Sequence, residues 1–337
     1  MNWFGLSVVW VWLILTPIAA QAQALRFQPQ GAAASGQGHA FGAQADDASA
    51  IHFNPAGLTQ VEGVQALLGT SLMGGSIKQN ASSGVDNRGD FGGSISTPLP
   101  SYFYLSANIG AVGIPSLSAM TVGIGLTSPY GSSMRYPVDG VFNTAVTSAA
   151  LPLLDIKPTL AYKVNEDLSL GLGADIYTFS SVLGQGHVEQ KQVGAGLFGI
   201  PAGASVEVNG KGTGVGMNAS LLYTPIRNSD GKPLASIGLV YRSQAVLPLR
   251  GALLVNGAKV ADASTSLALP PIYTAAVAVW PVRTGEREWK LEIDVDVVGW
   301  KSNKNLNVYL SNGSTVPQSQ QWKTVQVVSV GTEYKWI

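Results

Sequence analysis

The 337-residue chain carries 20 basic and 20 acidic residues, a charged share of only 12%, 40 glycines and no cysteine. Zero formal net charge removes electrostatic attraction of nucleic acid or of a strongly charged partner, and the missing cysteines remove disulfides, thiolate metal sites and cysteine nucleophiles. So small a charged share, about half that of a soluble globular protein, does not furnish an ordinary water-facing surface.

In chain order, residues 3–20 form an almost unbroken apolar run followed by Ala20-Gln21-Ala22 and Ala22-Gln23-Ala24, small-x-small patterns that a signal peptidase accepts. They predict a cleaved export signal over residues 1–22. No Lys or Arg precedes Arg26, so an uncleaved anchor helix is the alternative reading. Beyond Ala24 no apolar stretch approaches the ~20 residues of a transmembrane helix, and any membrane crossing must be made by strands. Residues 45–58, ADDASAIHFNPAGL, then interpose a polar, turn-prone segment between the leader and the remainder.

From there period-two alternation recurs. In residues 289–297, Trp289, Leu291, Ile293, Val295 and Val297 alternate with Lys290, Glu292, Asp294 and Asp296, so one strand face is apolar and the other carries three carboxylates. Segments with this beat predict about ten strands, near 64–76, 93–109, 119–131, 154–164, 167–189, 205–224, 234–250, 266–280, 287–310 and 320–335. Their connections alternate in length. Those near 112–118, 165–167, 225–233 and 281–286 are short, and those near 75–91, 132–153, 186–204 and 251–265 are long. This pattern predicts an all-β fold, a transmembrane antiparallel β-barrel of the outer membrane, with turns in the periplasm and loops outside. A sheet in lipid must close, because each backbone N–H and C=O needs an internal partner. Tyr102, Phe103, Tyr104, Tyr162, Tyr223, Tyr241, Trp280, Trp300, Trp322 and Tyr334 fall near predicted strand ends, where interfacial girdles lie.

Few residues suggest bond-making chemistry. His39, His52 and His187 are the only histidines and none has metal-ligand spacing, so no metal or cofactor is expected. There is no G-x-S-x-G elbow for a hydrolase. Residues 210–216, GKGTGVG, depart from the Walker pattern and open a strand, which offers no helix N-terminus to a phosphate. Glu292, Asp294 and Asp296 lie about 6.5–7 Å apart on one face, a spacing that suits acid and base roles. The simpler reading makes them the polar lining of a wet barrel lumen, paired with bases across it. Neither reading makes the chain an enzyme by itself, and no catalytic residue is assigned.

Residues 38–63, GHAFGAQADDASAIHFNPAGLTQVEG, resemble the N-terminal hatch of the FadL-type outer-membrane transporters for long-chain fatty acids and other hydrophobic compounds. The likeness rests on Asp46 and Asp47 and on the motif Asn54-Pro55-Ala56-Gly57. It continues through residues 122–131, VGIGLTSPYG, similar to that family's kinked third strand, and 156–177, 234–244 and 289–300, similar to later strands. The resemblance implies a hatch over residues 23–63 that plugs a barrel over 64–337, the family barrel having fourteen strands, of which about ten are present here. The chain ends at Ile337 about four strands short of that pattern, which reads as a truncated sequence. The resemblance further implies passive diffusion of a hydrophobic ligand, with lateral exit where strand three kinks. Asn54, Pro55 and Ala56 match the hatch motif that meets the kink, and Ser128, Pro129, Tyr130 and Gly131 match the kink itself. Pro129 lacks an N–H, so the wall should open there. The expected function is outer-membrane uptake of hydrophobic molecules, foremost long-chain fatty acids, by a monomer surrounded by outer-membrane lipid and lipopolysaccharide. Uptake of aromatic or alkane hydrocarbons is the alternative in the same fold, and a structural or adhesin barrel without transport is the alternative in another class.

Overall fold

The computed structural model describes residues 25–80, 86–90, 101–197 and 199–336. The expected leader, residues 1–22, lies outside them. Ten wall strands run antiparallel in chain order, and each is interrupted once, so that the wall is two ten-stranded sheets stacked end to end with the same strand order. The strands are β1 (Val64–Gly69 and Ser76–Asn80), β2 (Asp86–Asp90 and Tyr102–Asn108), β3 (Met120–Thr127 and Gly131–Arg135), β4 (Ser148–Pro152 and Leu154–Lys163) and β5 (Leu168–Thr178 and Val188–Val193). They continue with β6 (Ser205–Lys211 and Gly214–Arg227), β7 (Pro233–Arg242 and Ala245–Val255), β8 (Ala258–Leu269 and Ile272–Arg283), β9 (Arg287–Val298 and Val308–Leu310) and β10 (Thr315–Val316 and Val325–Trp336).

The lower sheet, on the side of the short turns, reverses the burial of a soluble protein. Along β9, Lys290, Glu292 and Asp294 are 1%, 1% and 5% exposed, whereas the intervening Leu291 and Ile293 are 38% and 52% exposed. The same inversion holds on β6, where Val215 and Met217 are exposed while Asn218 and Ser220 are buried. In water this would leave an apolar surface uncovered and strand charges inside. In a bilayer it is the favourable arrangement, with apolar side chains against lipid and a polar interior. The fold is an antiparallel outer-membrane β-barrel wall wrapped around its own N-terminal segment. β1 and β10 stand at the two ends of the strand order, and no pair joins them among the described residues.

Two expectations need correction. Strand extends into the long outer connections, most of all in one of them. Residues 251–265, expected as a loop, form a tight hairpin between β7 and β8 that turns at Asn256 and Gly257, with φ of 49° and 79°. Both central residues of a type I′ turn need positive φ, and Asn-Gly supplies them at least cost. The dipeptide is legible in the sequence, but the apolar run around it hides the turn. Second, the aromatic residues do not all form girdles. Tyr102, Tyr104, Trp280 and Trp300 point inward and are buried, while Tyr162, Tyr223, Tyr241 and Tyr334 are exposed.

The strand breaks have local causes. Pro129 interrupts β3 and the pair Pro270-Pro271 interrupts β8, since proline cannot donate to a ladder. If the outward face meets hydrocarbon, Ile293→Arg at mid-strand should destabilise the barrel in lipid by about 2–4 kcal/mol, and Val260→Arg in the outer hairpin by about 0–1 kcal/mol. Denaturant unfolding in vesicles measures both, and equal costs would contradict the assignment of faces.

Candidate functional site

Residues 25–63 fill the lumen of the lower sheet as two short helices, α1 (Ala32–Gly36) and α2 (Ala50–Phe53), and a 3₁₀ turn (Pro55–Gln60). So little regular structure leaves many backbone amides without internal partners, and the wall carboxylates take them. Asp294 Oδ2 accepts from the amides of Phe41 at 3.0 Å and Gly42 at 2.9 Å. Glu292 Oε1 accepts from Ala43 at 2.7 Å and Gln44 at 3.3 Å, and its other oxygen is held by Lys290 at 2.5 Å. Asp296 accepts from Arg26 Nη1 and from Thr274 Oγ1, each at 2.6 Å. The three acids predicted to line the lumen are therefore a clamp for the hatch. Only Asp296 meets a base from another element, Arg26, which the hatch supplies.

A second charged group faces α2. Lys157 bridges Asp155 at 2.7 Å and Asp175, Arg242 reaches Asp175 at 3.1 Å, and Asn218 donates to the same carboxylate at 3.0 Å. Arg242 also donates to the carbonyl of His52. Burial pushes the His52 imidazole well below its ordinary pKa, and the charges of Arg242 and Lys157 push the same way, so this ring is neutral at physiological pH. Charge-assisted bonds of this kind hold a polar plug in register with its wall.

The hatch motif sits against β5, β6 and β7. Asn54, fully buried, donates to the carbonyl of Gly42 at 2.7 Å and of Leu221 at 3.2 Å, and accepts from Ala56 at 3.2 Å. The Ala56 amide also donates to Ser220 Oγ at 2.9 Å. Pro55 and Ala56 lie so close to Gly171 that a Cβ there would come within 2.4 Å of the Ala56 nitrogen. Gly57 has the same relation to Ala45, whose carbonyl oxygen would be 2.3 Å from an added Cβ. Asp47 Oδ1 accepts from the Ser49 amide at 2.7 Å and hydroxyl at 2.5 Å, fixing the approach to α2, while Asp46 is exposed and accepts from Gln44 at 3.2 Å.

The kink is met by a different part of the hatch. Phe27 N donates to the Pro129 carbonyl at 2.8 Å, Gly131 N donates to the Leu25 carbonyl at 3.0 Å, and Arg26 forms an isolated antiparallel bridge with Tyr130. Gln30 Nε2 donates to the Ser128 carbonyl at 3.0 Å and its Oε1 accepts from the Ser128 amide at 3.3 Å. Residues 25–30 thus lie along Ser128, Pro129, Tyr130 and Gly131 as a short inner strand. The expected contact of Asn54, Pro55 and Ala56 with the kink is replaced by contacts to β5, β6 and β7. The turn that carries the motif packs on the lower segments of β3 to β6, below the kink, and residues 25–30 line the kink itself. On the β2 side, β3 pairs through Thr127↔Tyr102 below the kink and resumes at Arg135↔Asp90 above it.

Above the hatch the lumen changes character within one inward step on each strand. Asp175 is followed inward by Tyr177 on β5, Asp296 by Val298 on β9, and Asp155 is preceded by Leu153 on β4, all buried. These join Leu247 and Leu249 of β7, Leu267 and Leu269 of β8, Tyr130 and Trp300 in one apolar cluster. Tyr130 packs edge-on against Tyr177 and Trp300 at centroid distances of 5.8 and 6.0 Å, and Trp300 against Trp322 at 5.0 Å. A packed apolar cluster therefore abuts the kink directly, with the Arg26–Asp296 pair at its floor. The convergence of these residues was not predicted. Around Leu247 and Leu249 the outward residues Val246 and Pro248 are also nonpolar, so alternation there does not reveal which face is inside. Arg26, the first charge after the leader, was visible but had no assigned partner.

Residues 15–336 match the family of outer membrane protein transport proteins (OMPP1/FadL/TodX), and the chain belongs to that family. A long-chain fatty acid transport protein of Salmonella typhi is 23% identical, over 94% of this chain and 76% of its own length. Among solved structures, a Pseudomonas aeruginosa FadL homologue superposes with a TM-score of 0.69 at 18% identity, covering 92% of this chain and 78% of its own. The Ralstonia pickettii toluene transporter TbuX follows at 0.66 and 15%, covering 91% and 82%. The Pseudomonas putida toluene transporter TodX gives 0.64 and 16%, covering 94% and 82%.

If Asn54 ties the hatch to itself and to β6, Asn54→Ala should loosen it by about 1–3 kcal/mol, the cost of leaving buried polar groups unpaired. Asp46→Ala, at an exposed position, should change little. Hydrogen exchange at the Phe41 to Gln44 amides reads this directly, and equal protection in both variants would contradict it.

Proposed function

We propose that the chain carries hydrophobic molecules, foremost long-chain fatty acids, passively across the outer membrane by releasing them sideways through its wall at the β3 kink. The single observation that supports this most is the position of the apolar cluster, which ends on Tyr130 of the kink. A hydrophobic molecule taken up among these side chains reaches the kink without crossing the polar, hatch-filled lumen below, where transfer of an apolar solute would be opposed. In that reading residues 25–30 close the exit from inside. Their contacts include two backbone bonds, the Gln30–Ser128 bonds, the Tyr104 hydroxyl on the Gln30 carbonyl and the Arg26–Asp296 pair, all renewable once the segment swings back. The relative from Salmonella typhi is a long-chain fatty acid transport protein, which supports the choice of fatty acids.

A second reading, uptake of monoaromatic hydrocarbons, is favoured by the cluster of Tyr130, Tyr177, Trp300 and Trp322, because rings pack well edge-on against rings. The TbuX and TodX structures are of toluene transporters. Competition between a labelled fatty acid and toluene in cells that depend on this protein separates the two.

The exit itself is tested by locking the inner strand. The chain has no cysteine, so the pair Arg26→Cys and Tyr130→Cys introduces a single possible disulfide between bridge partners. Oxidised cells should lose nearly all uptake and reduced cells should regain it. Uptake that is the same in both redox states removes the lateral route.

A further inference from the structure

We propose that Lys211 and Arg250 form a docking site on the outer wall for a phosphorylated lipid head group of the surrounding outer leaflet, of the lipopolysaccharide kind. The two residues are direct antiparallel partners on β6 and β7. Both are exposed. They face outward, because Leu247 and Leu249 on β7 point into the apolar cluster while Val246, Pro248 and Arg250 alternate with them on the other face. Directly opposed like charges in an antiparallel pair repel. Among the described residues neither cation has a carboxylate partner. The acids that share this face are already taken: Glu207 lies 3.6 Å from Lys191 and accepts from Asn209 at 2.8 Å, and Asp262 lies 2.6 Å from Lys259. His187, at the foot of the neighbouring β5 segment, lies 3.6 Å from Glu189.

The height of the pair selects the partner. Lys211 stands four residues before the lipid-facing Val215, which is 63% exposed, and Arg250 four residues after Val246, which is 48% exposed. Four residues span about 13 Å of strand, and the tilt of barrel strands reduces this to roughly 9 Å along the membrane normal. That places both cations in the head-group layer, just beyond the hydrocarbon. An anion there meets a guanidinium that can grip two oxygens and an ammonium that can take a third. A phosphate on a lipid whose acyl chains lie along Val246 and Val215 satisfies both the charge and the apolar band beneath it.

The test uses the full folded chain in detergent micelles, titrated with bisphosphorylated lipid A, with lipid A stripped of phosphate, and with inorganic phosphate. Wild type is expected to bind the bisphosphorylated lipid and to discriminate against both other probes. Lys211→Ala/Arg250→Ala should weaken that binding about tenfold or more, Lys211→Gln should give a smaller loss, and Lys259→Ala, at the hairpin tip, should leave it unchanged. Heat-dependent gel mobility reports that each variant is folded. Undiminished binding by the folded double variant, equal binding of the stripped lipid by wild type, or equal affinity for inorganic phosphate would each overturn the site.

Discussion

The reversal of polarity across the wall is the constraint from which the rest follows. Lipid outside requires Leu291, Ile293, Val215 and Met217 to face outward, and the period of a strand then sends Lys290, Glu292, Asp294, Asn218 and Ser220 inward. An interior of that kind is unfavourable unless each charge finds a partner. The hatch provides partners as backbone amides, because a segment with only two short helices has amides to spare. Hatch and wall therefore satisfy each other, and neither would be comfortable alone.

The second consequence concerns the boundary between the two sheets. Below it the lumen is polar and filled. Above it the apolar cluster begins, and the change takes one inward step on β4, β5 and β9. The strand breaks fall at the same level, and on β3 the break is the kink. A hydrophobic passenger held above the boundary is thus adjacent to the one place where the inner face of the wall is lined by residues 25–30, with the polar plug forming a floor beneath it. Apolar cluster, floor and kink meet at Tyr130, Arg26 and Asp296.

Much of the wall was legible. The alternation in residues 289–297 placed β9 with its three acids inward, and the ten predicted segments correspond to the ten wall strands. The positions of the breaks were less so, since Pro129 and Pro270-Pro271 mark two of them but others follow no single residue type. The outer hairpin at Asn256-Gly257 was missed because its first flank, Ala252 to Val255, is apolar on both faces. The hatch motif was found, but its neighbours were misassigned. Residues 54–56 are separated from the wall by sequence distances that no local pattern encodes, and only the path of the chain across the lumen brings them to Gly171 and Ser220.

By itself the sequence determined the class of structure. Strand periodicity and a small charged share specify a wall with one lipid face and one polar face, because side-chain direction in a strand is set by position alone. Tertiary structure alone decided which segment of the hatch meets the kink, which acids serve as its clamp, and that Leu247, Leu267, Tyr177 and Trp300 converge in one apolar cluster. Those relations depend on strands far apart in the chain curving around a common interior, and curvature leaves no local trace in the order of residues.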